Sequence, residues 1–309
     1  MTLTTGLELE LLLPAGMGRL ELLERLRPLI GGVVEPFDFP SKVPVPHGAG
    51  AGLEGDAATE AVMAAMQDVA DHHQAKLHSI SSDARFFYLS HRCGRLVGAE
   101  GATLLEVVHD NTIAGGERVA EVITPPLEPE RVGWLRDLVE RLAAVEGIEV
   151  PRRAALHVHV DAGELRDVEA LARLVSLYFD HQARLRRWLR TPGRLHADQP
   201  MPRGLVLALQ RAVGQPWAEV RPALAHELRD KRCGLNLYNL LHDVPDKLTV
   251  ELKLAAASLV PDRVLAVREL FLRLVLLALA LDAPLPRGEA ALRQAIDPGG
   301  EVIPVLTRP

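Results

Sequence analysis

The sequence predicts an α+β protein in which helices pack on one face of a largely antiparallel sheet, and three observations predict it. Strand-like segments gather in groups at the start, middle and end of the chain instead of alternating one for one with helices. Several of those strands alternate apolar with ionisable residues, as strands do when one face of their sheet is buried and the other is open. Between the groups run long segments whose apolar residues recur at helical spacing.

Each element follows from its local pattern. Residues 3–13 read as a strand. Residues 18–30 read as a helix, with Leu20, Leu23, Leu26 and Ile30 at helical spacing and Gly31 and Gly32 as stop residues. From 34 to 55 the chain is rich in Pro and Gly without a period, which predicts a long loop, and loops of that length usually serve a site. Asp56 is placed to cap an Ala-rich helix reaching about residue 73. This loop and helix form an insertion at about 33–82. Strands are expected at 86–89, 102–108 and 118–124, a helix at 129–145, and a strand at 154–161. A long amphipathic helix covers 167–189 and a Pro- and Gly-containing loop covers 191–203. Short helices at 205–213 and 217–229 precede strands at 234–238 and 248–254, and 262–281 is the last major helix. The whole chain, 1–309, reads as a single domain.

Composition narrows the function. Hydrophobic residues make up 48% and charged residues 25% of the 309, the balance of a soluble globular protein. A formal charge of −6, with basic residues scattered beside acids, excludes a nucleic-acid surface. The most apolar stretch, 270–281, carries Arg273 and is too short to span a bilayer, so no membrane association is expected. No secretory leader pattern opens the chain, and Cys93 and Cys233 lack metal or disulfide spacing. Both are expected as free thiols in a reducing cytoplasm.

The chemistry lies in the alternating strands. In Gly6-Leu7-Glu8-Leu9-Glu10-Leu11 the leucines take one face, and Glu8 and Glu10 the other. In Leu156-His157-Val158-His159-Val160-Asp161 the same rule groups His157, His159 and Asp161, and in Val250-Glu251-Leu252-Lys253-Leu254 it pairs Glu251 with Lys253. Glu121 stands on a further strand, with Asp110 at the end of another. One such strand is an ordinary solvated face. Acids, lysine and histidine are nevertheless poor strand formers, and their recurrence on several polar faces points to a site. Carboxylates with one or two imidazoles suit Mg²⁺ or Mn²⁺ better than zinc, which would call for a Cys/His set or HExxH. The Gly48–Gly52 run lacks the Lys-Ser/Thr of a phosphate-binding loop.

These residues, taken in order, resemble the amidoligase family within the glutamine synthetase and glutamate–cysteine ligase superfamily. The match rests on Gly6-Leu7-Glu8-Leu9-Glu10, Glu121-Val122-Ile123-Thr124-Pro125-Pro126-Leu127, His157-Val158-His159-Val160, Arg194 in Thr191-Pro192-Gly193-Arg194, Asn236 in Leu235-Asn236-Leu237-Tyr238-Asn239, and Thr249-Val250-Glu251-Leu252-Lys253. It runs from about Gly6 to about Leu281. The resemblance implies a cupped sheet of the glutamine-synthetase type that binds ATP and two divalent ions, Mg²⁺ or Mn²⁺, on its concave face. It implies that Glu10 and Glu121, with Asp110, hold one ion, and that Glu8, Glu251 and either His157 or His159 hold the other. Arg194, with Arg190 or Arg203 as alternatives, would contact nucleotide phosphates, as would Asn236 and Lys253, and Arg194 and Lys253 would act in catalysis. The family usually has Arg where this chain has Lys253, which exchanges a two-donor fork for a point charge.

The implied activity is an ATP- and Mg²⁺-dependent carbon–nitrogen ligase. It would join a small-molecule or peptide carboxylate to an amine or ammonia through an acyl phosphate, with a glutamine amidotransferase as a partner that supplies ammonia. Two alternatives stay open: a guanidino-kinase-like phosphotransferase, which needs no second amine substrate, and a non-catalytic nucleotide or metabolite binder, which the Lys253 departure favours. A metal-dependent hydrolase is more distant.

Overall fold

In the computed structural model the described residues are 3–49, 51–52, 54–72, 75–80, 86–110, 116–191, 199–228, 231–245 and 247–308. Along the chain the elements are β1 (Thr5–Leu12), α1 (Arg19–Ile30), β2 (Val33–Pro44), α2 (Gly55–His72), β3 (Lys76–Ile80), β4 (Phe86–Val97), β5 (Thr103–Val108) and β6 (Val119–Ile123). There follow α3 (Val132–Ala143), β7 (Ala155–Asp161), α4 (Val168–Leu189), α5 (Arg203–Ala212), α6 (Trp217–Glu227), β8 (Leu235–Asn236), α7 (Tyr238–Leu241), β9 (Thr249–Ala256), α8 (Pro261–Leu279), α9 (Glu289–Ile296) and α10 (Val302–Thr307). The protein is α+β, and the strand registers between these elements are antiparallel.

Two compact units share these elements: Met1–Leu9, Pro126–Ala143 and Arg152–Pro309 form the first, and Glu10–Pro125 with Ala144–Pro151 the second. In the first, the start of β1 pairs with β7, β7 with β9, and β9 with β8. Apolar residues of alternate positions, Leu7, Leu9, Val158, Val160, Val250, Leu252 and Leu254, are buried. Helices α4 and α8 pack on β9 and β7 respectively and on each other. They close this core with Leu171, Val175, Val267, Leu270 and Phe271. The opposite alternate positions are thereby left for the polar side chains of the same strands.

In the second unit β2, β4, β5 and β6 pair in that order, and β3 pairs with β4. Helix α1 lies across β4 and β5. It comes so close at Gly94 that an added Cβ would run into the Leu20 and Leu23 side chains. Its first residue, Arg19, is buried and donates from Nε and Nη2 to the Val119 carbonyl (2.9 and 2.7 Å), tying the helix start to β6. Helix α2 packs on the opposite part of the unit through Met66 and Ala70 against Phe87 and Leu89. Cys93 and Cys233 are buried and form no disulfide, as expected. Burial pushes the Cys93 thiol up to about 11, so it is inert as a nucleophile.

The main departure from expectation is β2. The Pro-rich stretch expected as a loop is a twelve-residue strand in register with β4 from Val33↔Val97 to Pro44↔Phe86. Pro36 and Pro40 share one parity, so their missing N–H groups fall on the same side. Among the described residues β2 pairs with β4 alone, so it is an edge strand, and prolines are tolerated in an edge strand when their nitrogens face the unpaired side. Opposed ion pairs add to the register: Glu35 with Arg95 at 3.1 Å and Asp38 with Arg92 at 3.5 Å. β4 is correspondingly longer than the expected 86–89, and β3, α7, α9 and α10 were not anticipated. Asp56 lies in the first turn of α2 and does not precede it.

The last helix is opened by one carboxylate. Asp297 accepts hydrogen bonds from the backbone N–H groups of Glu301 (2.9 Å), Val302 (3.1 Å) and Ile303 (2.8 Å), opening α10. Burial disfavours its charge, but those three donors, with Arg273 at 3.5 Å, hold the carboxyl below its ordinary 3.8. Asp297→Ala is expected to cost about 1–2 kcal/mol of unfolding free energy at neutral pH, read by urea denaturation. The wild-type contribution is complete above pH 3.8 and is lost as pH falls through the lower folded-state value, so the gap between the two proteins should close in acid.

Candidate metal and catalytic centre

Strand register assembles the centre within the first unit. Gly6 of β1 stands opposite His159 of β7, His159 opposite Glu251 of β9, and Glu251 opposite Asn236 of β8. Residues directly opposite one another share a face, so this row crosses four strands on the side away from α4 and α8. Two positions along, Glu8 pairs with His157 in register, and β7 shifts register against β9 between Leu156 and Val158. Thr249 and Lys253 flank Glu251 on its own strand at the same parity. Position 6, opposite His159, is glycine and contributes no side chain to this row.

The distances show how tightly the groups converge. His157 Nδ1 is 3.2 Å from Glu8 Oε2 and 3.3 Å from Glu251 Oε1. His159 Nε2 is 3.1 Å from Glu8 Oε1 and 3.5 Å from Glu251 Oε1. Lys253 Nζ is 2.9 Å from Glu251 Oε1. Glu251 is almost fully enclosed, with 4% of its side chain exposed. Its other oxygen, Oε2, accepts a 2.7 Å hydrogen bond from Asn236 Nδ2, and Asn236 Oδ1 in turn accepts from the Tyr238 N–H. Asn236 is thus engaged at both ends and fixes the carboxylate. Behind His159, Nδ1 meets Thr249 Oγ1 at 3.2 Å, and Asn239 Nδ2 donates to the same hydroxyl at 3.2 Å.

Burial would raise the Glu8 and Glu251 carboxyls, but the neighbouring cations outweigh it. Close contact with His157 and His159 holds Glu8 well below its ordinary 4.5, and the charges of His159, His157 and Lys253 hold Glu251 below it. Burial would lower His159, but Glu251 and Glu8 hold it above its ordinary 6.5. The centre is therefore a nearly balanced set of buried charges.

These residues fit a divalent cation. Glu8, His157 and Glu251 offer three ligand atoms within 4.8 Å of one another. Glu251 Oε1 and His159 Nε2 are buried and complete no in-line hydrogen bond in spite of their close neighbours. Buried ligand atoms left without a hydrogen-bond partner are available to a bound ion. The oxygen-rich, partly nitrogenous donor set is one that Mg²⁺ or Mn²⁺ takes.

Of the other expected site residues, Glu10 and Glu121 belong to the second unit. There Glu10 is buried, and the two bring carboxylate oxygens within 4.8 Å. Asp110 follows the end of β5 in the same unit. Arg194 lies outside the described residues. Among its alternatives, Arg190 donates to the Thr307 carbonyl at 2.8 Å, and Arg203 opens α5. Sequence reasoning passed over Thr249 and Asn239 as members of the centre. The parity of Thr249 with Glu251 and Lys253 was a readable signal, whereas Asn239 depends on the short turn of α7.

The protein is α+β, and its antiparallel strands bring two carboxylates, two imidazoles and an ammonium together on one face of the sheet. The chain belongs to the amidoligase family: the family described as "Putative amidoligase enzyme" matches residues 1–275, and membership places it among ligases. No curated protein and no solved structure matches the chain. Among the described residues no helix is long and apolar enough to cross a membrane.

The charge balance sets a pH window for the metal-free protein. The carboxylates contribute in full above pH 4.5 and are lost as pH falls through their lowered folded-state values. His159 contributes in full below pH 6.5 and is lost as pH rises through its raised value. Thermal stability without added metal should therefore be greatest between those limits. A Glu8→Gln/His159→Gln double variant should show a flatter profile over the same pH series.

Proposed function

We propose that this protein is an ATP-dependent carbon–nitrogen ligase that activates a substrate carboxylate as an acyl phosphate and couples it to an amine or ammonia. The observation that carries this reading is the Glu8–His157–His159–Glu251–Lys253 cluster on adjoining strands of a chain that belongs to the amidoligase family. In the first step a carboxylate oxygen attacks the γ-phosphorus of ATP, and the bond to the ADP oxygen breaks. In the second the amine nitrogen attacks the acyl carbon, phosphate leaves, and the nitrogen gives up a proton. A divalent ion, Mg²⁺ or Mn²⁺, would be held by Glu8, Glu251 and imidazole, and when bound supplies charge neutralisation for phosphoryl oxygens. Glu10 and Glu121, with Asp110, are proposed as a second carboxylate site, and Arg194 as a phosphate contact.

The chain's own residues have defined parts in this reading. Asn236 holds Glu251 by one oxygen so that the other stays directed at the cluster. Lys253 carries a fixed positive charge beside that oxygen, where it can offset charge developing on a transferred phosphoryl group. Its pairing with Glu251 also supports a second reading, a relative that binds nucleotide without turnover, because a lysine so engaged has less reach toward a phosphate than a forked arginine.

Release of ADP and phosphate from ATP, measured across pools of carboxylates and amines, separates these readings. Release that requires both substrate classes is the expected result, and nucleotide binding without release under every pool would support the second. Glu8→Gln and Glu251→Gln should each lower turnover by about a hundredfold or more. Full turnover in both variants would remove the cluster from the mechanism.

A further inference from the structure

The two histidines present different nitrogens to the same pair of carboxylates. His157 offers Nδ1, and His159 offers Nε2 because its Nδ1 is turned to the Thr249 hydroxyl. From these nitrogens to the Glu8 and Glu251 oxygens the spacings are 3.1–3.5 Å. Neighbouring ligand atoms around a small octahedral ion lie about 3 Å apart, since each is roughly 2.0–2.2 Å from the metal.

His159 is also backed as a ligating histidine is. Its Nδ1–H can donate to Thr249 Oγ1, which takes a second hydrogen bond from Asn239 Nδ2. With its remaining proton on Nδ1, the ring turns its Nε2 lone pair to a bound ion, which takes the place of the second proton. That buried Nε2 completes no in-line hydrogen bond, nor does Glu251 Oε1, which faces it. Lys253 Nζ lies 2.9 Å from the same Glu251 Oε1, and both rings lie within 3.5 Å of it.

We propose that Thr249, backed by Asn239, enlists His159 as a second nitrogen donor beside His157, so that the centre is a two-carboxylate, two-imidazole site selective for Mn²⁺ or a similar first-row ion over Mg²⁺. Imidazole nitrogen favours first-row transition ions, whereas Mg²⁺ prefers oxygen and keeps its water. Thr249 and Asn239 are positioning residues: they touch His159 and act through it. The inference rests on the reading of this centre as a cation site and goes further by assigning both rings to one ion.

The test loads the full-length protein with Mn²⁺, measures affinity by titration, and counts coordinated imidazole nitrogens by electron spin-echo envelope modulation. Two nitrogens are expected in the wild type and one in His159→Gln. Mg²⁺ should displace Mn²⁺ only at about a hundredfold excess or more. Thr249→Val, nearly isosteric, should lose the second nitrogen and about tenfold or more in Mn²⁺ affinity, while Thr249→Ser should keep both. Circular dichroism and Tm confirm that each variant is folded. One nitrogen in the wild type, unchanged in Thr249→Val, overturns this inference and leaves the cation site standing. Absence of any Mn²⁺ binding overturns both.

Discussion

The registration of β1, β7, β9 and β8 is the constraint on which the rest depends, because it alone aligns Gly6, His159, Glu251 and Asn236 in one row. Side chains alternate along a strand with a period of two. A slip of one residue would therefore exchange Glu8, His157 and Glu251 for Leu7, Val158 and Leu252, putting apolar groups in the centre and charges against α4 and α8. The apolar set pays for this precision: its burial under two helices makes every other register far more costly. The functional face is held in place by the face that does no chemistry.

Within that frame the centre is assembled from groups that are each unfavourable alone. An enclosed carboxylate such as Glu251 is tolerated because Lys253, two imidazoles and the Asn236 amide surround it. Removing any one of them leaves the others with a charge they were arranged to offset.

Much of this was legible in the sequence because the signal was local. Alternation in Gly6–Glu10, Leu156–Asp161 and Val250–Leu254 gave strands and faces together, and the faces named Glu8, His157, His159, Glu251 and Lys253. The amphipathic period of α4 and the apolar run of α8 were equally plain. Illegible were features set by tertiary position. β2 was hidden because its prolines forbid a central strand, and nothing local reveals that the strand is an edge. The contact of Asn239 with Thr249 spans ten residues through a four-residue helix, too short to leave a period. Helix α10 is opened by the Asp297 carboxylate four to six residues earlier in the chain, a spacing that no standard cap pattern announces.

The proline-bearing edge has a consequence for how the molecule behaves in company. An exposed strand twelve residues long would ordinarily invite a neighbouring chain to add its own strand. Along β2, Pro36 and Pro40 withhold donors from that outer rim at intervals of four residues, and the charged pairs Glu35–Arg95 and Asp38–Arg92 are half-exposed on the ribbon. An intruding strand would meet a broken ladder and would have to strip water from ions to dock. The composition that disguised this segment as a loop thus gives the protein a rim resistant to sticking, so that a long strand can stand at the margin without seeding aggregation.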